Sequence, residues 1–266
     1  MFFLKIRALI KKILFFIALT LFLPGSASAQ SSAWWNDVEN DRRTNVMQEL
    51  ASGADPNVRN DDGQPAIMMA IQHQSWQVYD LLRQHRRTDI NAVNSHDETP
   101  LMYLALMGEY ERMQQLIQQG AKVRRLGWTP LHYAASKGQV KAARLLLDNG
   151  ALVNSPAPDG TTPLMMAALA GSRPAAELLL NEGADINAVN LQGLEAADWA
   201  RSKSNTQLAN YLDEYKKAIH TPATQPNGGD IEGLIQNDSD STGSVDGSDS
   251  SSRYFDLDRF DQPVAP

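Results

Sequence analysis

The stretch LGWTPLHYAASKGQVKAARLLLDNGALVN, Leu126 to Asn154, decides the fold. Thr129 is suited to cap a helix by accepting from a free N–H, and Pro130 suits the first turn, where no N–H partner is lost. Ala134 and Ala135 are small enough to let neighbouring helices approach. Gly138 breaks the chain. Val140, Ala143, Leu146 and Leu147 then make the apolar face of a second helix at 3–4 spacing, and Gly150 supplies a left-handed C-cap. The segment Ala151 to Thr161 is short, polar and turn-rich, and reads as a projecting finger that leads into another copy of the same design.

Those copies are present. Thr99-Pro100-Leu101-Met102 and Thr162-Pro163-Leu164-Met165 begin blocks that match the one at Thr129, and weaker copies begin at Pro65 and Glu195, with starts 34, 30, 33 and 33 residues apart. A second marker keeps the same register: Gly53-Ala54-Asp55, Gly120-Ala121, Gly150-Ala151 and Gly183-Ala184-Asp185, with Arg87-Thr88-Asp89 in the remaining slot. A fixed period of this size decides a fold more firmly than local propensity does. The pattern resembles the ankyrin repeat over about residues 31 to 217. The resemblance implies an all-α solenoid of about six helix-turn-helix units with short, projecting β-hairpin-like fingers. The first unit, counted back from Gly53, puts Ser32 in the Thr position and Trp34 in the Leu position, and Val46, Met47 and Leu50 give it the look of a cap with a wetted outer face. The last unit starts at Glu195 and ends near Lys217. The 30-residue interval removes about three residues from one finger, which we place between Val123 and Arg124.

Outside the repeats the composition changes twice. Residues 1–29 carry Lys5, Arg7, Lys11 and Lys12, then an apolar run from Ile13 to Leu23, then Pro24-Gly25 and Ala27-Ser28-Ala29 before Gln30. This is the layout of a cleavable secretory signal cut after Ala29, and the apolar run is too short for the ~20 residues of a spanning helix. The expected address is the bacterial periplasm, with no membrane insertion once the signal is removed. The chain has no cysteine, so it is indifferent to oxidising conditions there and has no thiolate chemistry. Residues 30–220 form the repeat domain. Residues 221–266, rich in Ser, Asp, Gly and Thr with a net charge of -7, read as a disordered acidic tail that buries too little to offset its ordering entropy. Within that tail, Asp238 to Asp249 has oxygen side chains at positions 1, 3, 5, 9 and 12 and Gly243 at 6, a weak echo of an EF-hand calcium loop. Its Asp at position 12, Ser250 after it and the Gly/Ser flanks argue for a solvated linker instead, so no metal or cofactor is expected. Tyr254 to Phe260 has the composition of a short docking motif.

For function, the net charge of -7 and the absence of a basic segment after the leader argue against nucleic-acid binding. The resemblance implies a non-enzymatic scaffold that binds another protein through finger tips and the exposed sides of the first helices. Transferred by register, the candidate partner-binding residues are Gln64 and His73 in the second unit, Leu106 and Met107 in the third, and Arg125, Leu126, Trp128, Ser136 and Lys137 in the fourth. Leu169 in the fifth and Leu194 in the sixth complete the set. Leu106, Met107, Leu126, Trp128, Leu169 and Leu194 stand where a solvated face would be polar, which predicts an exposed apolar strip. Trp128 has a competing reading as the filler of the gap left by the short finger. His132 and Thr129 lie one helical turn apart, but in this motif the histidine holds the turn through backbone bonds, and His73, His85, His96 and His220 lack metal-ligand spacing. The chain is expected not to be an enzyme. Exported proteins that look like this are linked to protection against oxidative or toxic insults. The alternatives are an immunity protein that neutralises a periplasmic toxin, and a calcium- or small-ligand-responsive envelope protein.

Overall fold

The computed structural model describes residues 32–220; the leader, the acidic tail, the calcium-like loop and the Tyr254–Phe260 motif lie outside them. The described chain forms twelve helices in six antiparallel pairs. They are α1 (Ser32–Glu39), α2 (Arg43–Ala51), α3 (Ala66–Gln72), α4 (Trp76–Gln84), α5 (Pro100–Met107), α6 (Tyr110–Gln118), α7 (Pro130–Ser136), α8 (Val140–Asp148), α9 (Pro163–Leu169), α10 (Arg173–Asn181), α11 (Ala196–Ser202) and α12 (Thr206–His220). Odd-numbered helices stack on one another along one side and even-numbered helices along the other.

The two rows differ in what they bury. Every residue of α5 from Pro100 to Leu106 and every residue of α7 is buried, so the first helices are sealed on both sides by their neighbours. The second helices are amphipathic: α8 buries Ala142, Ala143, Leu145 and Leu146 and leaves Lys141 and Arg144 in solvent. One continuous apolar core runs from Trp34 to Leu212. The cap unit follows expectation, with Val46 and Leu50 buried and Met47 exposed.

The first helices of units three to six begin with the same device built from different atoms. The residue three positions into the helix accepts from the N-cap backbone N–H through His132 Nδ1 at 3.2 Å, Met102 Sδ at 3.3 Å, Met165 Sδ at 3.4 Å or Asp198 Oδ2 at 3.0 Å. The Thr99 and Thr162 hydroxyls in turn accept from the backbone of Met102 and Met165. A buried helix start needs these donors satisfied, and three unlike side chains meet the same need.

The fingers are tight turns. Among the described residues no strand forms, and one isolated antiparallel bridge joins Arg59 to Pro65. The turns are pinned by asparagine: Asn94 Oδ1 accepts from His96 N at 2.9 Å and Glu98 N at 3.0 Å, and Asn60 and Asn190 repeat the arrangement. A second asparagine ladder ties unit to unit. Asn57 donates to Arg87 O, Asn91 to Gly120 O and Asn154 to Gly183 O, and each accepts from the backbone two residues further on. In the fourth unit this position is Arg124, whose Nε donates to Gly150 O. Arg124 therefore occupies the asparagine slot, and the shortening of that finger falls after it rather than between Val123 and Arg124.

Candidate partner-binding face

The face formed by the finger turns and first helices carries two ladders. Residues that precede each N-cap are Gln64, Glu98, Trp128, Thr161 and Leu194, and residues that end the first helices or follow them include His73, Met107, Lys137 and Leu169. The ladders are polar at one end and apolar at the other.

At the polar end, units two to four share a buried network. Glu98 accepts from Asn94 Nδ2 at 2.7 Å, from Tyr103 Oη at 3.3 Å and from Tyr133 Oη. Gln64 Nε2 donates to Tyr103 Oη and to Gln72 Oε1, both at 3.3 Å, while its Oε1 accepts from Asn94. Burial raises the pKa of both tyrosines, which keeps the hydroxyls protonated and able to donate to the carboxylate. A carboxylate that is 3% exposed is tolerable here because donors from its own finger and from two helices converge on it.

At the apolar end, Trp128 is half-buried and meets the His132 ring edge-on, with centroids 5.2 Å apart. His132 is wholly buried, and its Nε2 bonds Thr161 O at 3.1 Å in the next unit. With Nδ1 accepting from Thr129 N–H, the proton belongs on Nε2. Burial pushes the imidazole pKa down to about 4, so it is neutral at pH 7. Nδ1 also lies 2.9 Å from the Thr129 hydroxyl, so the imidazole, the Thr129 side chain and the backbone of two units form one buried turn contact. Leu126, at the tip of the short finger, is 93% exposed, and Leu191 at the corresponding region of the sixth finger is 82% exposed.

Four residues expected to read a partner stand otherwise. Leu106, predicted as part of the exposed strip, is 3% exposed and belongs to the core. Ser136 is buried and turns its hydroxyl onto Tyr133 O at 2.8 Å. Gln64 is buried in the network around Glu98. Arg125 is no loose finger-tip cation: it donates to the Asp97 carboxylate and to Asp97 O at 2.7 Å, which locks the short finger against its neighbour. Met107, Trp128, Lys137, Leu169 and His73 are half-exposed and Leu194 is 37% exposed, so the strip exists but is interrupted. The network of Asn94, Glu98, Tyr103 and Tyr133 was missed as a unit; the signal available was a pair of tyrosines in one register position beside a glutamate where other units carry uncharged residues.

Among the described residues no group of three or more His, Cys, Asp or Glu gathers as metal ligands would, and no helix is long and apolar enough to cross a membrane. A family model described as "Ankyrin repeats (3 copies)" matches residues 37–126, 78–157 and 108–190, more than half of the chain. The chain belongs to the ankyrin-repeat family. It is similar to the human transient receptor potential cation channel subfamily A member 1, at 28% identity over 116 residues, which is 42% of this chain and 10% of that protein. It is also similar to neurogenic locus notch homolog protein 1 of Mus musculus and to human notch homolog protein 2, each at 32% identity over 105 residues, which is 38% of this chain and 4% of theirs. The chain thus spans a tenth or less of the length of these relatives. Ankyrin repeats generally mediate protein–protein interaction, and the solenoid here has that architecture.

Proposed function

We propose that this protein is a non-enzymatic periplasmic scaffold that holds one partner protein on the apolar half of its finger face, around Trp128, and in doing so protects the cell from a toxic or oxidising agent. The observation that carries the binding site is the combination at the fourth unit. A finger shortened by about three residues leaves Leu126 in solvent and the Trp128 ring half-exposed, and Met107 and Leu169 are half-exposed at the ends of the first helices of the units before and after it. Exposed apolar side chains anchored by a rigid aromatic are the usual makings of an interface centre. The address rests on the leader, whose composition is that of an export signal; N-terminal sequencing of the exported form is expected to begin at Gln30, and Met1 retained on membrane-bound protein would refute it.

The site is tested by affinity capture of partners from a periplasmic extract with the wild-type chain and with Trp128→Ala. The variant is expected to lose ~2 kcal/mol or more of complex stability. Full affinity in the variant would move the site toward the polar units around His73. Capture of a secreted toxin as the partner would establish the immunity reading in place of stress protection.

A further inference from the structure

Fingers two to five each touch the next, and the sixth has no such neighbour among the described residues. A Cβ on Gly63 would meet Ser95 of the third finger, one on Gly127 would meet Pro158 of the fifth, and one on Gly160 would meet the backbone of Asn190. One on Gly193, at the same place in the sixth finger, would meet nothing within 4 Å. The asparagine ladder stops at the same flank. Asn154 Nδ2 donates to Gly183 O at 3.0 Å, and its Oδ1 accepts from Asp185 N at 2.8 Å. Asn187 holds that slot in the sixth unit, exposed, and its side-chain amide bonds nothing among the described residues. Val189, Leu191 and Leu194 of this finger are 54%, 82% and 37% exposed. The donor, the acceptor and the apolar surface that would receive one more rung are all unspent at the end of the stack.

The chain beyond His220 carries the residues that such a rung requires. The segment that meets the ladder runs Arg87-Thr88-Asp89-Ile90 in the third unit and Gly183-Ala184-Asp185-Ile186 in the sixth, and Gly228-Gly229-Asp230-Ile231 repeats the pattern. Each of these positions has a task in the described copies. Gly183 sits at a φ of +85° and offers its carbonyl, the Asp185 carboxylate accepts from Asn187 N at 2.9 Å and fixes the turn, and Ile186 is buried. Asp89 accepts from Asn91 N in the same way. Where those copies continue with asparagine the tail has Glu232, and the asparagine's task is to bind a following unit, which a last rung lacks. Leu234 and Ile235 come next, apolar residues to set against Val189 and Leu191. The exit of the chain suits such a return. α12 is six residues longer than α10, and its added length is held at the finger side of the unit, with Lys216 Nζ 2.6 Å from both Glu195 oxygens at the start of α11. Six further residues carry the helix end about 9 Å past the point where α10 stops. Pro222 then disfavours its continuation. Residues 221–227 lead to Gly228, and a stretch of that length reaches up to about 23 Å, enough to come back over the base of the sixth finger.

We propose that Gly228 to Ile235 folds back in cis onto the open flank of the sixth finger as a terminal rung, with the Asn187 side chain donating to Gly228 O and accepting from Asp230 N, and with Ile231 in the place that Ile186 holds one unit earlier. This rung covers the apolar end of the stack and closes it to a second copy, the task that capping units perform in solenoids. It makes no use of the face around Trp128, so it stands apart from the partner-binding reading.

The test uses the chain from Gln30 to Pro266. Because it lacks cysteine, Glu232→Cys gives one labelling point, at a side chain the rung does not use. A nitroxide there is expected to erase the amide signals of Asn187 to Leu194, the Asn187 side-chain amide among them, and to spare α1 and α2. Asp230→Ala/Ile231→Ser in the labelled chain keeps the tether and removes the rung, and should restore most of those signals. Equal broadening with and without these two substitutions would reduce the effect to tethering and overturn the proposal. So would broadening seen only when spin-labelled and isotope-labelled chains are mixed, which would make the occupant a second copy. In the unlabelled chain the Asp230 amide should exchange about tenfold more slowly than the Asp246 amide, each corrected for its neighbours in sequence. Asn187→Ala, a change at an exposed side chain, should abolish that protection while leaving the amides of α7 and α9 as they were. An unprotected Asp230, or protection that survives Asn187→Ala, would refute the ladder.

Discussion

At the residue scale the clearest consequence concerns His132. Its folded pKa of about 4 lies below the ordinary value of 6.5 because burial penalises the imidazolium, so on acidification the unfolded chain takes the proton first. The stability that neutral His132 contributes is fully present above pH 6.5 and is lost as pH falls toward 4, about 3 kcal/mol in all by linkage. His132→Met should remove this part of the acid limb, because methionine already makes the same capping contact at Met102 and Met165. At neutral pH it should cost only about 1 kcal/mol, for the lost bond to Thr161 O. Urea denaturation of both proteins between pH 7 and pH 4 checks this, and parallel curves would refute it. Glu98 offers the opposite case: Glu98→Ala strands the Asn94, Tyr103 and Tyr133 donors in a buried site and should cost ~2–4 kcal/mol in the same assay at neutral pH. Neither partner set was legible from the sequence, which shows that His132 sits in a capping position but not that its second nitrogen reaches into the next unit. Gln64, Ser136 and Arg125 were misread for a related reason: register says where a side chain starts, while the hydrogen bonds it finds, some to residues about thirty positions away, decide where it ends.

At the element scale the repeat offers a comparison, because glycines of like backbone conformation meet different surroundings. Gly160 and Gly183 both have positive φ, +81° and +85°, so a side chain is strained at either. A Cβ on Gly160 would come within 3.1 Å of Asn190 Cα and 3.2 Å of Leu191 N, backbone that cannot step aside, whereas one on Gly183 meets nothing within 4 Å. Gly183→Ala should therefore cost about 1 kcal/mol from backbone strain alone, and Gly160→Ala clearly more, with the excess reporting how firmly the fifth finger is held against the sixth. Equal losses on thermal or urea melting would mean that the fingers move apart freely. Elements were the most legible level of this protein. Thr-Pro starts, mid-repeat breaks and Gly-Ala ends are local signals, and all six helix pairs fall where those signals put them. What local signals could not give was the exact place of the missing finger residues, since Val123-Arg124-Arg125 fits the register either way until Arg124 is seen to bond Gly150 O.

At the scale of the whole molecule, stability in a stack is a sum of unit and neighbour terms, so the ends and the middle should not open together. The middle is sealed: α5 and α7 are buried along nearly their whole length and make the most extensive helix–helix contact among the described residues. The first unit is held more loosely, with Thr44, Asn45, Met47 and Gln48 of α2 all exposed. Two polar ties bind the turn between α1 and α2 to the second unit: Ser75 Oγ donates to Glu39 O at 2.7 Å, and Val78 N donates to Asp41 Oδ1 at 2.8 Å. Asp41 holds a φ of 55°, a conformation that a side chain adopts at a cost unless a contact such as this one rewards it. Asp41→Ala should keep the strained backbone and lose the tie, which leaves the Val78 N–H in the first turn of α4 without its acceptor. Native-state hydrogen exchange is expected to show faster opening of α1 and α2 and of the start of α4 by about tenfold, the equivalent of roughly 1.4 kcal/mol, with protection in α7 and α9 unchanged. Asp41→Gly, which relieves the strain while losing the same tie, should fall between the two proteins. Uniform loss of protection from α1 to α12 in Asp41→Ala would show that the stack unfolds as one body, and the description of the first unit as a separable cap would then fail.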